Sequence, residues 1–393
     1  MKDNTPFSEI TSVSLYNDVK IDFSKEKMFF GEGKNTQRFD VLKYPFLDKS
    51  NDKQQGFDWK HDEVPLTADT KEFKLKFVNH ERFMYTRGFQ KLIFLDSLQG
   101  RGPVSIFGQI STLPELENVI NVWQYFEGSK HSRTYTEILR ALYDNPDEIF
   151  DEAFTIPELQ NIAKSIAGRY EDAYHNVIGY IYREQRGLGH TKKDWFDLKK
   201  SLIMCMIEIN ALEGLRFYAG FAVVWAKHKS TGYTAGCSEN LQLICRDENE
   251  HLALTQFILK IFRKEKSEGF VEVYEQCKDE IEERYYEIFE EEKEWIEYIF
   301  SQGSFVGLNG TILIQYLIYL TVRRMEAIGI KVDKERLGGK LIRKNPLPWI
   351  NNYINMDSNE KLPQQEKILN YITGGVNQDK DDDEILKSVS HLL

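Results

Sequence analysis

From about residue 71 to residue 328, apolar side chains return at every third or fourth position, the period of helices that bury one face. The first such stretch, EFKLKFVNHERFMYTRGFQKLIFLDSLQ, predicts a helix over about 71–99, bent or ended by Gly100, Gly102 and Pro103. LPELENVINVWQYFEGSKHSRTYTEILRALY predicts a second, stopped near Asn145-Pro146. Further helices are expected over about 157–184, 193–229, 239–263, 269–301 and 310–328, with GLGHT (187–191) and TGYTAGC as turns. No stretch alternates with the period of a strand and no short repeat occurs, so the expected fold class is all-α. The flanks differ. Residues 1–27 are polar and weakly periodic, a loose N-terminal arm, and residues 36–70 are mixed, with Pro45, Gly56 and Pro65. Residues 345–393 run from NPLPWI into a segment with Gly-Gly and the acidic run DKDDDE, the composition of a flexible tail. Its apolar end, Val-Ser-His-Leu-Leu, suits docking on a partner. The expected organisation is an arm (1–27), one helical domain (28–350) and a docking tail (351–393).

Within the helical stretches, acidic residues sit in apolar surroundings where a solvated charge is out of place. Asp96 lies in LIFLDSLQG and Glu213 in INALEGLRFY. Glu127 is followed four residues later by His131, and Glu248 three residues later by His251. Side chains three or four apart share a helix face, so each Glu–His pair aims at one point. A carboxylate helix followed by a Glu/His helix occurs twice in order, the pattern of a ferritin-like bundle holding two metals. Carboxylates and imidazoles suit iron or manganese and leave positions open for oxygen. Each element alone has a plainer reading: an isolated buried Asp or Glu more often pairs with Arg, and an isolated Glu-x-x-His is usually a solvated face.

Composition narrows the functions open to such a protein. Of 393 residues 41% are hydrophobic, enough for a large core. With 62 acidic against 51 basic residues the net charge is -11, which disfavours a nucleic-acid surface. The cysteines Cys205, Cys237, Cys245 and Cys277 are scattered, as expected of free thiols in a reducing compartment. The start, MKDNTPFSEITSV, lacks the apolar core of a signal peptide. The most apolar stretch, 202–226, is interrupted by Glu208, Glu213 and Arg216, so it reads as a buried core helix and not as a membrane span. A cytoplasmic protein is expected, with no membrane and no nucleic acid among its partners.

At these same residues the chain resembles the class I ribonucleotide reductase small (beta) subunit. LDSLQGR, HSRTYTEILR, NALEGLRFY and RDENEHLALTQ are similar to that family's metal-site segments, and KEKMFFGEG, GLNGTILIQYL and NPLPWIN extend the likeness over about residues 27–375. The resemblance implies two iron ions per chain, with manganese as the alternative and oxygen as the oxidant. Asp96, Glu127 and His131 would hold one metal and Glu213, Glu248 and His251 the other, with Glu127 and Glu248 able to bridge. Tyr135 matches the radical-storing tyrosine, and Phe217, Phe221 and Ile244 its apolar wall. Trp59, in GFDWKHDEV, Asp247, and Tyr371 in the tail match the route by which the radical leaves for a large subunit, and a homodimer is implied. Gln365 and Glu366 stand where the family often has one glutamate, which leaves open how the proton of Tyr371 is managed. The other readings are a desaturase-like or ligand-binding oxidase of the same fold, and a ferritin-like iron-binding protein without catalysis.

One departure stands out. The family's first pair is Glu-x-x-His, whereas Glu127-Gly128-Ser129-Lys130-His131 has one residue more. In a regular helix an extra residue turns everything beyond it by about 100°. The flanking spacings, Asp96 to Glu127 and His131 to Tyr135, fit the family, so the expectation is a π-bulge between about 124 and 132, eased by Gly128. A regular helix there, with a degraded first metal site, is the alternative.

Overall fold

The periodic stretches fold as helices. Among residues 13–354, the part of the chain described in a computed structural model, no strand forms; isolated bridges join Phe29 to Ser111 and Phe305 to Leu308. Tyr371 and the rest of the tail from residue 355 on lie outside the described residues.

Helix α1 (Pro45–Gly56) starts on Pro45, whose ring presets the first helical turn. It fell in a stretch without clear periodicity because the face it buries is largely polar, with Ser50, Asn51 and Gln54 beside Leu47. The single helix expected over 71–99 is two, α2 (Thr67–Lys76) and α3 (Asn79–Gln99), separated by extended backbone at Phe77 and Val78. Glu81 accepts from the backbone N–H of Val78 (3.1 Å), and Arg82 donates to the carbonyls of Phe73 (3.2 Å) and Lys74 (2.6 Å). The apolar spacing runs through the break because both sides face one core: Phe73 and Phe77 place their rings 6.1 and 5.1 Å from Tyr85. At the next corner α4 (Gly102–Ile110) begins. A Cβ on Gly100 would lie 3.2 Å from the backbone of Gly128, and one on Gly102 would strike the Tyr170 ring.

Helices α5 (Pro114–Phe126) and α6 (Ser132–Leu142) are joined without interruption by a π-turn, Glu127–His131, and α7 (Pro146–Ala153) follows. The long α8 (Pro157–Arg186) ends on Gly187, whose φ of 62° is the left-handed cap glycine favours. Then come α9 (Lys192–Ala211), a second π-turn at Leu212–Arg216, α10 (Phe217–Thr231) and α11 (Ala235–Lys264). From Ser201 to Lys227 every residue is buried, so this stretch is the axis around which the other helices pack, as its all-round apolar character required. The helix expected over 269–301 is α12 (Val271–Gln276) and α13 (Lys278–Ile299), offset at Cys277, whose ψ of 5° steps out of the helical range. Helix α14 (Gly310–Ala327) and the short α15 (Asn351–Ile354) complete the described chain, with Tyr353 stacked 5.3 Å from Trp225. All four cysteines are buried and free. Among the described residues no helix is long and apolar enough to cross a membrane.

Candidate metal centre

Four segments meet inside the bundle: α3 brings Asp96, the first π-turn Glu127 and His131, the second Glu213, and α11 Glu248 and His251. All six side chains are fully buried. Ligand atoms of Asp96, Glu127, His131 and Glu248 lie within 4.8 Å of one another, as do those of Glu127, Glu213, Glu248 and His251. Glu127 and Glu248 belong to both groups, the arrangement two carboxylates need to span a pair of ions. His131 Nδ1 lies 3.3 Å from Glu127 Oε2 and 3.2 Å from Glu248 Oε1; His251 Nδ1 lies 2.8 Å from Glu127 Oε1 and 2.9 Å from Glu248 Oε2.

The widened turns set this geometry. The N–H of Ser132 bonds the carbonyl of Glu127, and that of Phe217 bonds Leu212, each a five-residue step in place of four. The first absorbs the extra residue, so Glu127 and His131 face the same cluster and Tyr135 follows one turn later. Gly128 keeps right-handed helical backbone and a Cβ there would meet nothing within 4 Å, so its freedom is not what permits the turn; the close neighbour is Gly100. The second π-turn had no sequence marker of its own, because Glu213 has no histidine partner whose spacing reveals an added residue. Glu-Gly pairs stand at both turns, 127–128 and 213–214, but also at 32–33 and 268–269, where no π-turn forms.

Surrounding side chains fix the ligands. Asp247 Oδ2 lies 3.2 Å from His131 Nε2 and accepts from Trp59 Nε1 at 2.8 Å, so the proton on Nε2 leaves Nδ1 free toward the cluster. On the other side Gln54 meets His251 Nε2 and accepts its proton when the amide oxygen faces the ring. Trp123 Nε1 donates to Glu127 Oε1 (3.1 Å) and Gln99 to Glu213 Oε1 (2.5 Å). Gln54, Gln99 and Trp123 are not visible as functional in the sequence, since a buried amide or indole carries no spacing signature. Tyr135 is fully buried, and among the described residues its hydroxyl has no hydrogen-bond partner. Burial, then the nearby Asp96, pushes that phenol far above its ordinary pKa. Phe217, Phe221 and Ile244 are all fully buried in the core.

The donor set fits a pair of cations. Both oxygens of Asp96, Glu213 Oε2 and Glu248 Oε1 are buried without a hydrogen bond among the described residues, a costly arrangement unless something positive binds there. Protons take that place when metal is removed. Burial, then Glu127, raises Asp96; burial, then Glu248, raises Glu213. Burial alone would lower the two histidines, but Glu248 and Asp247 carry His131 well up, and Glu127 and Glu248 carry His251 from 6.5 to about 9. Glu127 is the exception: burial would raise it, but His251 and His131 hold it low.

The sign of the pH dependence follows. Groups with raised folded pKa values give stability that is complete below their unfolded values and is lost as pH climbs toward the folded ones. For His251 that window is 6.5 to about 9. The chelator-stripped protein is therefore expected to lose about 1.4 kcal/mol per pH unit through His251 between about pH 6.5 and 8. Above about 8 Lys91, whose pKa burial depresses, works the opposite way. The metal-loaded protein should lack the decline, its ligands being already deprotonated. Urea titrations at several pH values measure this; a stripped protein gaining stability between about pH 6.5 and 8 contradicts it.

Residues 38–332 match the family described as ribonucleotide reductase, small chain. The chain is 35% identical over 388 residues to the ribonucleoside-diphosphate reductase subunit beta of Buchnera aphidicola subsp. Baizongia pistaciae, covering 98% of both chains. It is 32% identical to the ribonucleoside-diphosphate reductase 1 subunit beta of Escherichia coli O157:H7, covering 95% of this chain and 98% of that one. A solved ribonucleotide reductase R2 subunit from Clostridium botulinum superposes with a TM-score of 0.70 at 25% identity, covering 84% of this chain and 94% of that chain. The chain belongs to the ribonucleotide reductase small-chain family, with the ferritin-like helical fold and the carboxylate–histidine site expected of it.

Proposed function

We propose that this chain, the small subunit of a class I ribonucleoside-diphosphate reductase, stores a one-electron oxidising equivalent on Tyr135 and delivers it through Trp59 and Tyr371 to a large subunit. The enzyme works only with that large subunit, which holds the ribonucleotide; this chain alone turns over no substrate. The desaturase-like and iron-binding readings account for neither Trp59 bonded to Asp247 nor a tail of this composition.

Asp96, Glu127 and His131 would hold one metal and Glu213, Glu248 and His251 the other, with Glu127 and Glu248 shared. Bound there, two iron ions, or manganese in their place, supply with oxygen the power to oxidise a phenol. This chain's residues do the rest. Tyr135 keeps its proton until the electron leaves, because burial forbids the phenolate. Its dry surroundings exclude the water and reductants that quench a radical. Asp247 orients His131 and receives the indole N–H of Trp59. The tail, 351–393, docks on the large subunit and carries Tyr371 to it; residues 1–27 form an arm and 28–350 the helical unit. The chain acts as a homodimer in the cytoplasm.

The observation that carries this reading is the shared oxygen Asp247 Oδ2, which joins a histidine of the candidate metal cluster, His131, to the indole of Trp59, three residues beyond α1. Trp59→Phe keeps an aromatic ring and removes the N–H. It is expected to form the Tyr135 radical at full yield yet lose turnover with the large subunit by at least about a hundredfold. Full turnover in that variant removes Trp59 from the route.

A further inference from the structure

We propose that Lys130, carried inward by the widened turn, is a positioning residue for Trp59, holding the 58–59 segment in place and keeping a positive charge over the indole face. The inference rests on the part given to Trp59 above.

Of the three residues between Glu127 and His131, Gly128 and Ser129 are exposed, while Lys130 is only 5% exposed. A lysine buried that far needs its charge met. Lys130 Nζ meets Asp58 Oδ1 at 2.6 Å, donates to the backbone carbonyl of Trp59, and lies 5.8 Å from the centroid of the Trp59 ring. It also lies 4.8 Å from the ring of Tyr125 and 5.3 Å from that of Phe126. Among the described residues, the polar contacts of Nζ are therefore to Trp59 and its neighbour Asp58, and none is to the ligand cluster.

These contacts fall where the backbone supplies little order. Residues 58–60 belong to no helix. Arg246 holds Phe57 through its carbonyl (2.7 Å), Lys130 holds 58 and 59, and Asp247 holds the indole nitrogen. Three side chains from two helical segments thus fix the indole relative to the His131 ring, 6.2 Å away and nearly parallel at 20°. A ladder of this kind is sensitive to displacements of an ångström, because hydrogen-bond strength falls steeply with distance and angle.

The charge has its own effect. An indole that has lost an electron but kept its Nε1 proton is a cation, which the ammonium repels. Lys130 thus makes electron loss at Trp59 depend on the Nε1 hydrogen bond to Asp247, whose carboxylate offsets that repulsion. Asp58, 64% exposed at its side chain, is well solvated and offsets only part of the field at the indole. A regular Glu-x-x-His turn has one position fewer between the two ligands, so the widened turn makes room for an inward cation beside them.

The test uses Lys130→Met, which keeps the volume, and Lys130→Arg, which keeps the charge, in the full chain. On the metal-free chain, the emission and near-ultraviolet dichroism of Trp59 are isolated as the difference produced by Trp59→Phe in each background. That difference is expected to shift in Lys130→Met and return in Lys130→Arg. After loading with iron and oxygen, Lys130→Met should keep the Tyr135 radical yield and lose turnover about tenfold, the scale of one desolvated cation–π contact, with recovery in Lys130→Arg. An unshifted Trp59 difference in Lys130→Met overturns the inference. So does a radical yield that falls in step with turnover, which would place the effect at His131. Full turnover in Trp59→Phe would instead overturn the role of Trp59 itself.

Discussion

Tyr135→Phe is expected to fold, load metal and dock as the parent does, while losing the organic radical and, with it, turnover by on the order of a thousandfold or more. The substitution removes one heavy atom, the hydroxyl oxygen, which is buried without a hydrogen-bond partner among the described residues. Such a group costs stability, so the variant should be as stable as the parent or more so by about 1 kcal/mol. That combination separates chemistry from structure: a tyrosine kept for packing would be replaced by phenylalanine at no functional loss. Other buried tyrosines, Tyr85, Tyr170, Tyr218 and Tyr285, are present. None lies one turn beyond a histidine of the cluster, and Tyr170 and Tyr218 are bonded to Gln99 and Asn249. The measurement is radical yield, turnover and urea midpoint on one preparation. A variant with parental radical yield would move the stored oxidant elsewhere.

Arg216→Met is expected to destabilise the metal-free protein by about 3–5 kcal/mol. Arg216 closes the second π-turn, three residues beyond Glu213, and is fully buried. Its guanidinium reaches Glu208 at 3.0 Å, Glu291 at 2.6 Å and Glu292 at 3.1 Å, while Arg284 bonds Glu208 at 2.7 Å and Lys91 bonds Glu292. Three cations thus face three carboxylates across α3, α9, α13 and the π-turn, and removal of one leaves a buried negative charge uncompensated. Arg216→Lys should recover little of the loss, since one ammonium cannot reach three acceptors spread around a planar fork. Because the network grips the turn that bears Glu213, metal uptake should weaken as well. Equal urea midpoints for parent and Arg216→Met would show the network to be dispensable.

Much of this was legible in the sequence, and the misses have physical causes. The all-helical fold followed from the apolar period, and the six clustered side chains from acids and histidines placed on otherwise apolar faces. The break between α2 and α3 escaped because Phe73, Phe77 and Tyr85 pack into one core whichever way the backbone runs. α1 escaped because its buried face is polar, and with it Gln54, which bonds His251. The first π-turn was legible because it falls between two residues whose spacing is fixed by shared chemistry. The second was not, for Glu213 has no such partner. The inward turn of Lys130 was equally hidden: a lysine next to glycine and serine reads as solvated until the loop carrying Asp58 and Trp59 folds over it.

The electron paramagnetic resonance spectrum of the intact chain, loaded with iron and oxygen after growth on ring-deuterated tyrosine, tests most directly whether a buried phenol stores the oxidant. The expected result is an organic radical signal whose hyperfine structure collapses on deuteration and which is absent in Tyr135→Phe. A loaded protein without such a signal, or with one unchanged by deuteration, would contradict it.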